Sequence, residues 1–263
     1  TALGNEYIIQ TYKPTLAGYT DDEACSEFSV TATEDNTIVD VTPSVSCYTN
    51  SSATTTSNFT ITLNRGQSAF IKSATRNENG NLSGTRVIAR DCKKIAVFNG
   101  NNTTQVPSGN YGDHIYEQAF PTTSWGKKFV ITNTLQNAST GRTKDCVRVT
   151  ASTDNTTIRK NITLLTTINA GQTYEFQLTA TEKAAYIETS NPCAVYMYLV
   201  SQTAGGSSLG DPSMVWVAPL EQRINNIVFN TFYPNISAAN TPSTHIVNIV
   251  TETATTSQVR LDG

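Results

Sequence analysis

The chain has 263 residues, a formal net charge of −3 and 15% charged side chains, so Thr, Ser and Asn supply most of its polarity. No basic stripe of the kind a nucleic-acid surface needs is present, since Lys93-Lys94 and Lys127-Lys128 are isolated pairs at expected strand ends. No apolar run approaches the roughly 20 residues that span a bilayer, so neither a nucleic-acid partner nor a membrane span is expected.

In chain order, Phe28, Val30 and Ala32 alternate with Ser29 and Thr31, the period of a half-buried strand. Glu34-Asp35-Asn36 follows as a tight turn, because Asp and Asn tolerate the left-handed region and bond their own backbone. The stretch 44–58, rich in Ser and Thr, reads as a long loop. Phe59, Ile61 and Leu63 form the next strand, closed by Asn64-Arg65-Gly66-Gln67, where Gly supplies a positive φ. Ile95-Ala96-Val97-Phe98 is dense enough for a strand covered on both faces. Val147, Val149 and Ala151 then repeat the first strand, Asp154-Asn155 its turn, and Asn169-Ala170-Gly171-Gln172 the second turn. Tyr174, Phe176 and Leu178 alternate again, and Tyr196 to Val200 is another dense run. Glu221 to Phe229 is the best helical window, yet its Ile227-Val228-Phe229 core favours strand.

The signatures recur in one order, which makes an internal repeat the first fact about architecture. Gly112-Asp113 with Phe120-Pro121 returns as Gly210-Asp211 with Ala218-Pro219. The offset falls from 119 residues at the Asp-Asn turn to 105 at the Gly-Gln turn and 98 at Gly-Asp, which makes 44–58 an insertion in the first copy. A third copy begins, with Ile227 to Phe229 matching Phe129 to Ile131 and Val247 to Thr251 matching Val147 to Ala151. The expected fold is all-β, with tandem antiparallel sandwich-like units over 1–118 and 119–217 and a partial third unit over 218–263 packing on the second. A propeller-like arrangement of three pseudo-symmetric units is the alternative.

Five cysteines are present without any CxxC, and only His114 and His245 could complement them, so no metal site or other cofactor is expected. Disulfides of an exported protein fit better. Cys25 and Cys47 flank the first turn almost symmetrically, and Cys146 would then join Cys193, leaving Cys92 free and buried at a strand start. Cys25–Cys92 is the competing scheme, leaving Cys47 loose. The acidic turns could hold Ca²⁺, but hairpin chemistry explains them without a metal. His114 beside Asp113 and Glu117 could serve hydrolysis, but the second copy has Pro212 at the matching place, so no catalytic residue is expected. Tyr48, Thr49, Asn50, Tyr111 and Tyr116, in or beside loops, are the candidate ligand contacts. Trp125 and Trp216, near unit boundaries, are expected to pack there.

Ser26 to Thr37, Thr62 to Gln67, Leu82 to Val87, Ile95 to Asn101, Asp113 to Gln118, Trp125 to Val130 and Gly210 to Met214, taken as an ordered set, resemble the N-terminal domain of IgG Fc-binding protein. That family includes an animal mucus protein and bacterial secreted or surface-anchored proteins. The resemblance implies an extracellular, non-enzymatic adhesion or interaction module, joined to further modules of the same polypeptide. Its implied partners are host or matrix glycoproteins or glycans, such as mucin or immunoglobulin. A structural stalk and a glycan-active enzyme are the alternatives. The resemblance also implies that the chain is C-terminally incomplete.

Overall fold

The structure, a computed structural model, describes residues 2–15, 24–49, 53–107, 111–134, 145–179, 181–201, 204, 211–229 and 247–260. The chain divides into two compact units, Thr1–Gln222 and Arg223–Gly263. All named strands lie in the first, and every pairing is antiparallel.

The first ten strands are β1 (Glu6–Ile8), β2 (Ser26–Ala32), β3 (Thr37–Thr42), β4 (Cys47–Tyr48), β5 (Thr54–Thr55), β6 (Phe59–Leu63), β7 (Ser68–Ser73), β8 (Arg86–Ala89), β9 (Ile95–Thr104) and β10 (Asp113–Gln118). They form a four-stranded sheet, β1-β8-β3-β6, and a six-stranded sheet, β10-β9-β2-β7-β4-β5. The period-two pattern decides which side each residue takes. Phe28 and Val30 of β2, Ile71 of β7 and Val97 of β9 meet Val39 and Val41 of β3 and Val87 of β8 in one core. The stretch 44–58 is not a structureless loop. It supplies β4 and β5, which extend the edge of the six-stranded sheet, and places Cys47 in the core.

The second set is β11 (Gly126–Thr132), β12 (Cys146–Ala151), β13 (Thr156–Lys160), β14 (Thr163–Ile168), β15 (Thr173–Gln177), β16 (Ala184–Leu199) and β17 (Ser213–Trp216). Its sheet runs β14-β13-β16-β12-β15, with β11 and β17 also paired to β16. The first half of β16 pairs β11 and β13, and its second half pairs β12 and β17, so one bent strand serves both layers. In the first set the corresponding path breaks into β8 and β9. The break falls at Arg90–Cys92, where Asp91 (φ 56°) and Cys92 (φ 55°) both turn left-handed. The fold is therefore all-β, a two-sheet sandwich followed by a half-barrel, and the propeller-like alternative has no support in this layering.

The repeated turn motifs form one interlocked clasp in each set. Asp35 Oδ1 accepts from Arg65 N at 3.1 Å, and Asn64 Oδ1 accepts from Asn36 N at 3.0 Å. Gln67 Oε1 accepts from Asn64 N at 2.8 Å. The second set reproduces all three bonds: Ala170 N to Asp154 at 3.0 Å, Asn155 N to Asn169 at 3.1 Å, and Asn169 N to Gln172 at 2.8 Å. Gly66 and Gly171 sit at φ 77° and 76°. Two turns distant in sequence thus satisfy each other's backbone donors, and Asp35 and Asp154 are accounted for as hydrogen-bond acceptors.

The two sets meet along a seam of their own. Tyr12, Ile115, Trp125, Tyr196, Tyr198 and Met214 are buried together there. Phe120 stacks on Trp216 with centroids 4.6 Å apart, and Trp125 Nε1 donates to Phe120 O at 3.2 Å, so both tryptophans pack at the junction as expected. Gly84 (φ 91°) abuts the Gly171 turn so closely that a β-carbon on Gly84 would lie 2.4 Å from Gly171 O.

In the unit Arg223–Gly263 the expected strand at Ile227-Val228-Phe229 does not form. Ile227 and Phe229 are exposed, and Val228 is 97% exposed. A strand needs an edge to pair with, and none reaches them among the described residues. Val247, Ile249 and Val250 are exposed in the same way.

Candidate functional site

The outer face of the six-stranded sheet collects two of the three tyrosines that the sequence marked as candidate contacts, Tyr48 and Tyr116. Outward positions on β2 are Glu27, Ser29 and Thr31, because Phe28 and Val30 point to the core. The register aligns Tyr116, Gly100, Glu27, Lys72 and Tyr48 in one row across five strands. The neighbouring row is Gln118, Phe98, Ser29 and Phe70. Phe98 and Tyr116 lie parallel within 4°, their centroids 6.2 Å apart, and form a flat platform. The Tyr116 hydroxyl is fixed by Ser29 Oγ at 2.8 Å. Lys72 Nζ stands 5.5 Å over the Tyr48 ring. Phe70 is 49% and Tyr116 43% exposed, in a position where solvated strands ordinarily carry polar residues. At the centre of the row, burial raises the Glu27 carboxyl above its usual range, against the lowering effect of Lys72 and His114.

The structure thus brings Tyr48 and Tyr116 onto one face and places Thr49 beside Tyr48, where its N–H donates to Ala53 O at 3.2 Å. Tyr111 stands on the loop entering β10, 54% exposed and at φ 64°. Asn50 lies outside the described residues, as does His245. Phe70 and Phe98 were missed by sequence reading. Residues 95–98 read as a run covered on both faces, and a strand's outward face becomes a platform only when register aligns it with its neighbours.

The expected disulfides are corrected. Among the described residues, which include all five cysteines, no bridge is formed. Cys47 pairs with Ser73 of β7, and β2 lies on the other side of β7, which separates Cys25 from Cys47 by two strand spacings of roughly 4.8 Å. That exceeds the Cα reach of a disulfide. Cys146 pairs with Tyr198 and Cys193 with Ala151, so this pair occupies opposite ends of the β12–β16 ladder. Cys25 and Cys92 lie beyond opposite ends of the β2–β9 ladder, and Cys92 is exposed rather than buried. Burial pushes the Cys47 and Cys146 thiols up to about 11 and Cys193 to about 12, so these thiols stay protonated at neutral pH, Cys146 Sγ accepting from Gln177 Nε2 at 3.4 Å and Cys193 Sγ donating to Asn191 O at 3.5 Å.

A second cluster, unforeseen from sequence, lies in the seam. Arg148 of β12 is 6% exposed. Its guanidinium carbon stands 5.4 Å from the Tyr12 ring and 5.9 Å from the Tyr198 ring. Nη1 donates to Thr11 O and to Ser83 Oγ, and Nε lies 3.5 Å from Glu175 Oε2. The Tyr12 hydroxyl donates to Glu175 Oε1 at 3.2 Å. Burial raises the hydroxyls of Tyr12 and Tyr198 far above the normal tyrosine range, so both remain protonated donors. Near the same seam Glu117 accepts from Trp216 N at 2.8 Å, and burial raises its carboxyl to about 7.

His114 is exposed, its Nδ1 3.0 Å from Asp113 Oδ1. Asp113 and Asp211, the acids of the two Gly-Asp motifs, interact. Burial and the neighbouring Asp113 raise the Asp211 carboxyl, while the Asp113 carboxyl is lowered against burial by hydrogen bonds from His114 and Asp211. No group of three or more His, Cys, Asp or Glu suited to a metal gathers among the described residues. Nor is any helix there long and apolar enough to cross a membrane.

The profile of the IgGFc binding protein family matches residues 1–263, the whole chain. The chain belongs to that family. No curated protein matches the sequence significantly. Among solved structures, an anti-sigma factor domain-containing protein is 10% identical, with 84% of this chain and 97% of that one covered at a TM-score of 0.22. Another, from Clostridium clariflavum, is 8% identical, with 82% and 98% covered at a TM-score of 0.19. Membership in the IgGFc binding protein family therefore carries the comparison.

Proposed function

We propose that this chain is an extracellular, non-enzymatic interaction module of a secreted or surface-anchored protein. Its partners are glycoproteins or their glycans, with mucin and immunoglobulin the first to test. The observation that carries this reading is the aromatic platform of Phe98 and Tyr116, continued by Phe70 and Tyr48 on an exposed sheet face. Rigid rings fixed by neighbours contribute contact area at little entropic cost, and flanking Ser29, Lys72 and Glu27 offer hydrogen bonds and charge. Membership in a family named for binding supports the same reading. The repeat division into 1–118, 119–217 and a partial unit over 218–263 belongs to it, with the platform carried by the first unit.

The test is binding to immobilised mucin and immunoglobulin, for the natural chain and for a Phe70→Ser/Tyr116→Ala double variant. At least tenfold weaker binding by the variant, with an unchanged circular dichroism spectrum, is expected, since a well-packed contact aromatic is worth about 1–2 kcal/mol or more. Equal binding by both proteins would remove the face from the reading. Absence of binding by the natural chain would favour a stalk that only carries other modules.

A further inference from the structure

An open groove of about 430 Å³ lies where Asn81 and Ser83 of the first sandwich face Arg148, Gln172 and Thr173 of the second sheet system. Its volume falls in the range of small-ligand sites. We infer that this seam groove is a subsite for the carboxylate of an acidic monosaccharide, such as a sialic or uronic acid. The inference rests on the glycan-recognition reading above and names one sugar class within it.

The side chains around the groove hold unused hydrogen-bonding capacity. Asn81 Oδ1 accepts from Ser83 N at 3.1 Å and from Thr11 Oγ1 at 2.9 Å. A backbone N–H can only donate, so the carboxamide orientation is fixed and its NH₂ group is left over. Gln172 is fixed in the same way by Asn169 N, which leaves a second NH₂ group. Ser83 Oγ is fully engaged: it donates to Thr11 O at 2.8 Å and accepts from Thr11 N at 3.0 Å and from Arg148. Arg148 Nε is buried without a hydrogen-bond partner among the described residues, the 3.5 Å contact with Glu175 being a charge contact only. The lining therefore offers two carboxamide NH₂ groups beside a buried cation, and Thr173 Oγ1, which donates to Thr150 Oγ1, keeps an acceptor site for a sugar hydroxyl.

Such a lining suits an oxyanion. Glu175 already offsets the charge of Arg148, so the cluster is close to neutral and favours a monovalent carboxylate over a divalent phosphate. The groove is too large for a bare anion. A pyranose ring behind the carboxylate would fill it, its hydroxyls facing the two carboxamides and its apolar face meeting Ile168, which also lines the wall.

The experiment is an NMR titration of the whole ¹⁵N-labelled chain with N-acetylneuraminic acid, glucuronic acid and the methyl ester of each. The expected result is saturable shifts of the Asn81 and Gln172 side-chain amides and the Gly171 backbone amide with the acids, and at least tenfold weaker binding of the esters. Asn81→Asp and Gln172→Glu keep the acceptor that holds each local fold and replace the free NH₂ with a charged oxygen. Each should abolish the titration at an unchanged melting temperature. Equal binding of acid and ester, shifts confined to other residues, or no shift at tens of millimolar sugar would overturn the inference, and none of these needs a variant. Mucin binding that survives both groove substitutions but falls with Phe70→Ser/Tyr116→Ala would sink the subsite and leave the parent reading standing.

Discussion

Arg148 shows how one residue can escape a sequence reading. It sits between Val147 and Val149 in a clean period-two strand, which marks it as solvent-facing. In the folded chain every residue of β12 is buried, because the second face of that strand meets Tyr12 and Thr11 of the first set. A contact between residues 137 apart leaves no local trace in the chain. Removing a buried, paired cation exposes its partners to an unfavourable environment, so Arg148→Ala should lower stability by about 3 kcal/mol in denaturant titration. Arg148→Met combined with Glu175→Gln should recover much of that loss by leaving no unpaired charge. Glu117 gives a second prediction at this scale. Its folded pKa, about 7, lies above the ordinary carboxylate value, so the native state holds the extra proton between those limits. The contribution is complete below the unfolded value and disappears as pH rises through about 7. The raised Asp211 acts in the same direction at lower pH. The melting temperature should therefore be several degrees lower near pH 8 than near pH 5.5, and Glu117→Gln should remove most of the difference.

At the scale of elements the sequence was more legible, because turns and half-buried strands are local statements. Both Asp-Asn turns, both Gly-Gln turns and the strands beside them stand where their residues put them. The helix-or-strand question at Ile227 to Phe229 ended in neither, since pairing is decided by a partner edge and not by β-propensity. The stretch 44–58 was misread because its two short strands depend on pairing to β7 and to each other. Glycines at positive φ nevertheless differ in surroundings. A β-carbon on Gly66 would meet nothing within 4 Å, whereas one on Gly84 would strike the Gly171 carbonyl. Gly66→Ala should cost about 1 kcal/mol from its positive φ alone. Gly84→Ala adds a backbone clash across the seam and should cost at least twice as much, as read from paired urea melts.

For the whole molecule, the seam makes residues 1–222 one compact unit although the strands form two separate cores. A single cooperative thermal transition is expected for this unit, and Tyr198→Ala, which empties the Tyr12–Tyr198 contact at 5.0 Å, should split or broaden it in calorimetry. In the unit 223–263 the described residues Ile224, Ile227, Val228, Phe229, Val247, Ile249 and Val250 are exposed. Brief chymotrypsin treatment should cut first near Phe229, and the product should keep the melting temperature of the intact chain. The clasp of paired turns has one further consequence. Arg65 in one copy and Ala170 in the other give the clasp nothing but a backbone N–H. The side chain at this point is therefore a free variable that duplication can reassign without refolding the module. It is one address on each copy where a charge, a label or a tether could be changed at will while the closure around it stays intact.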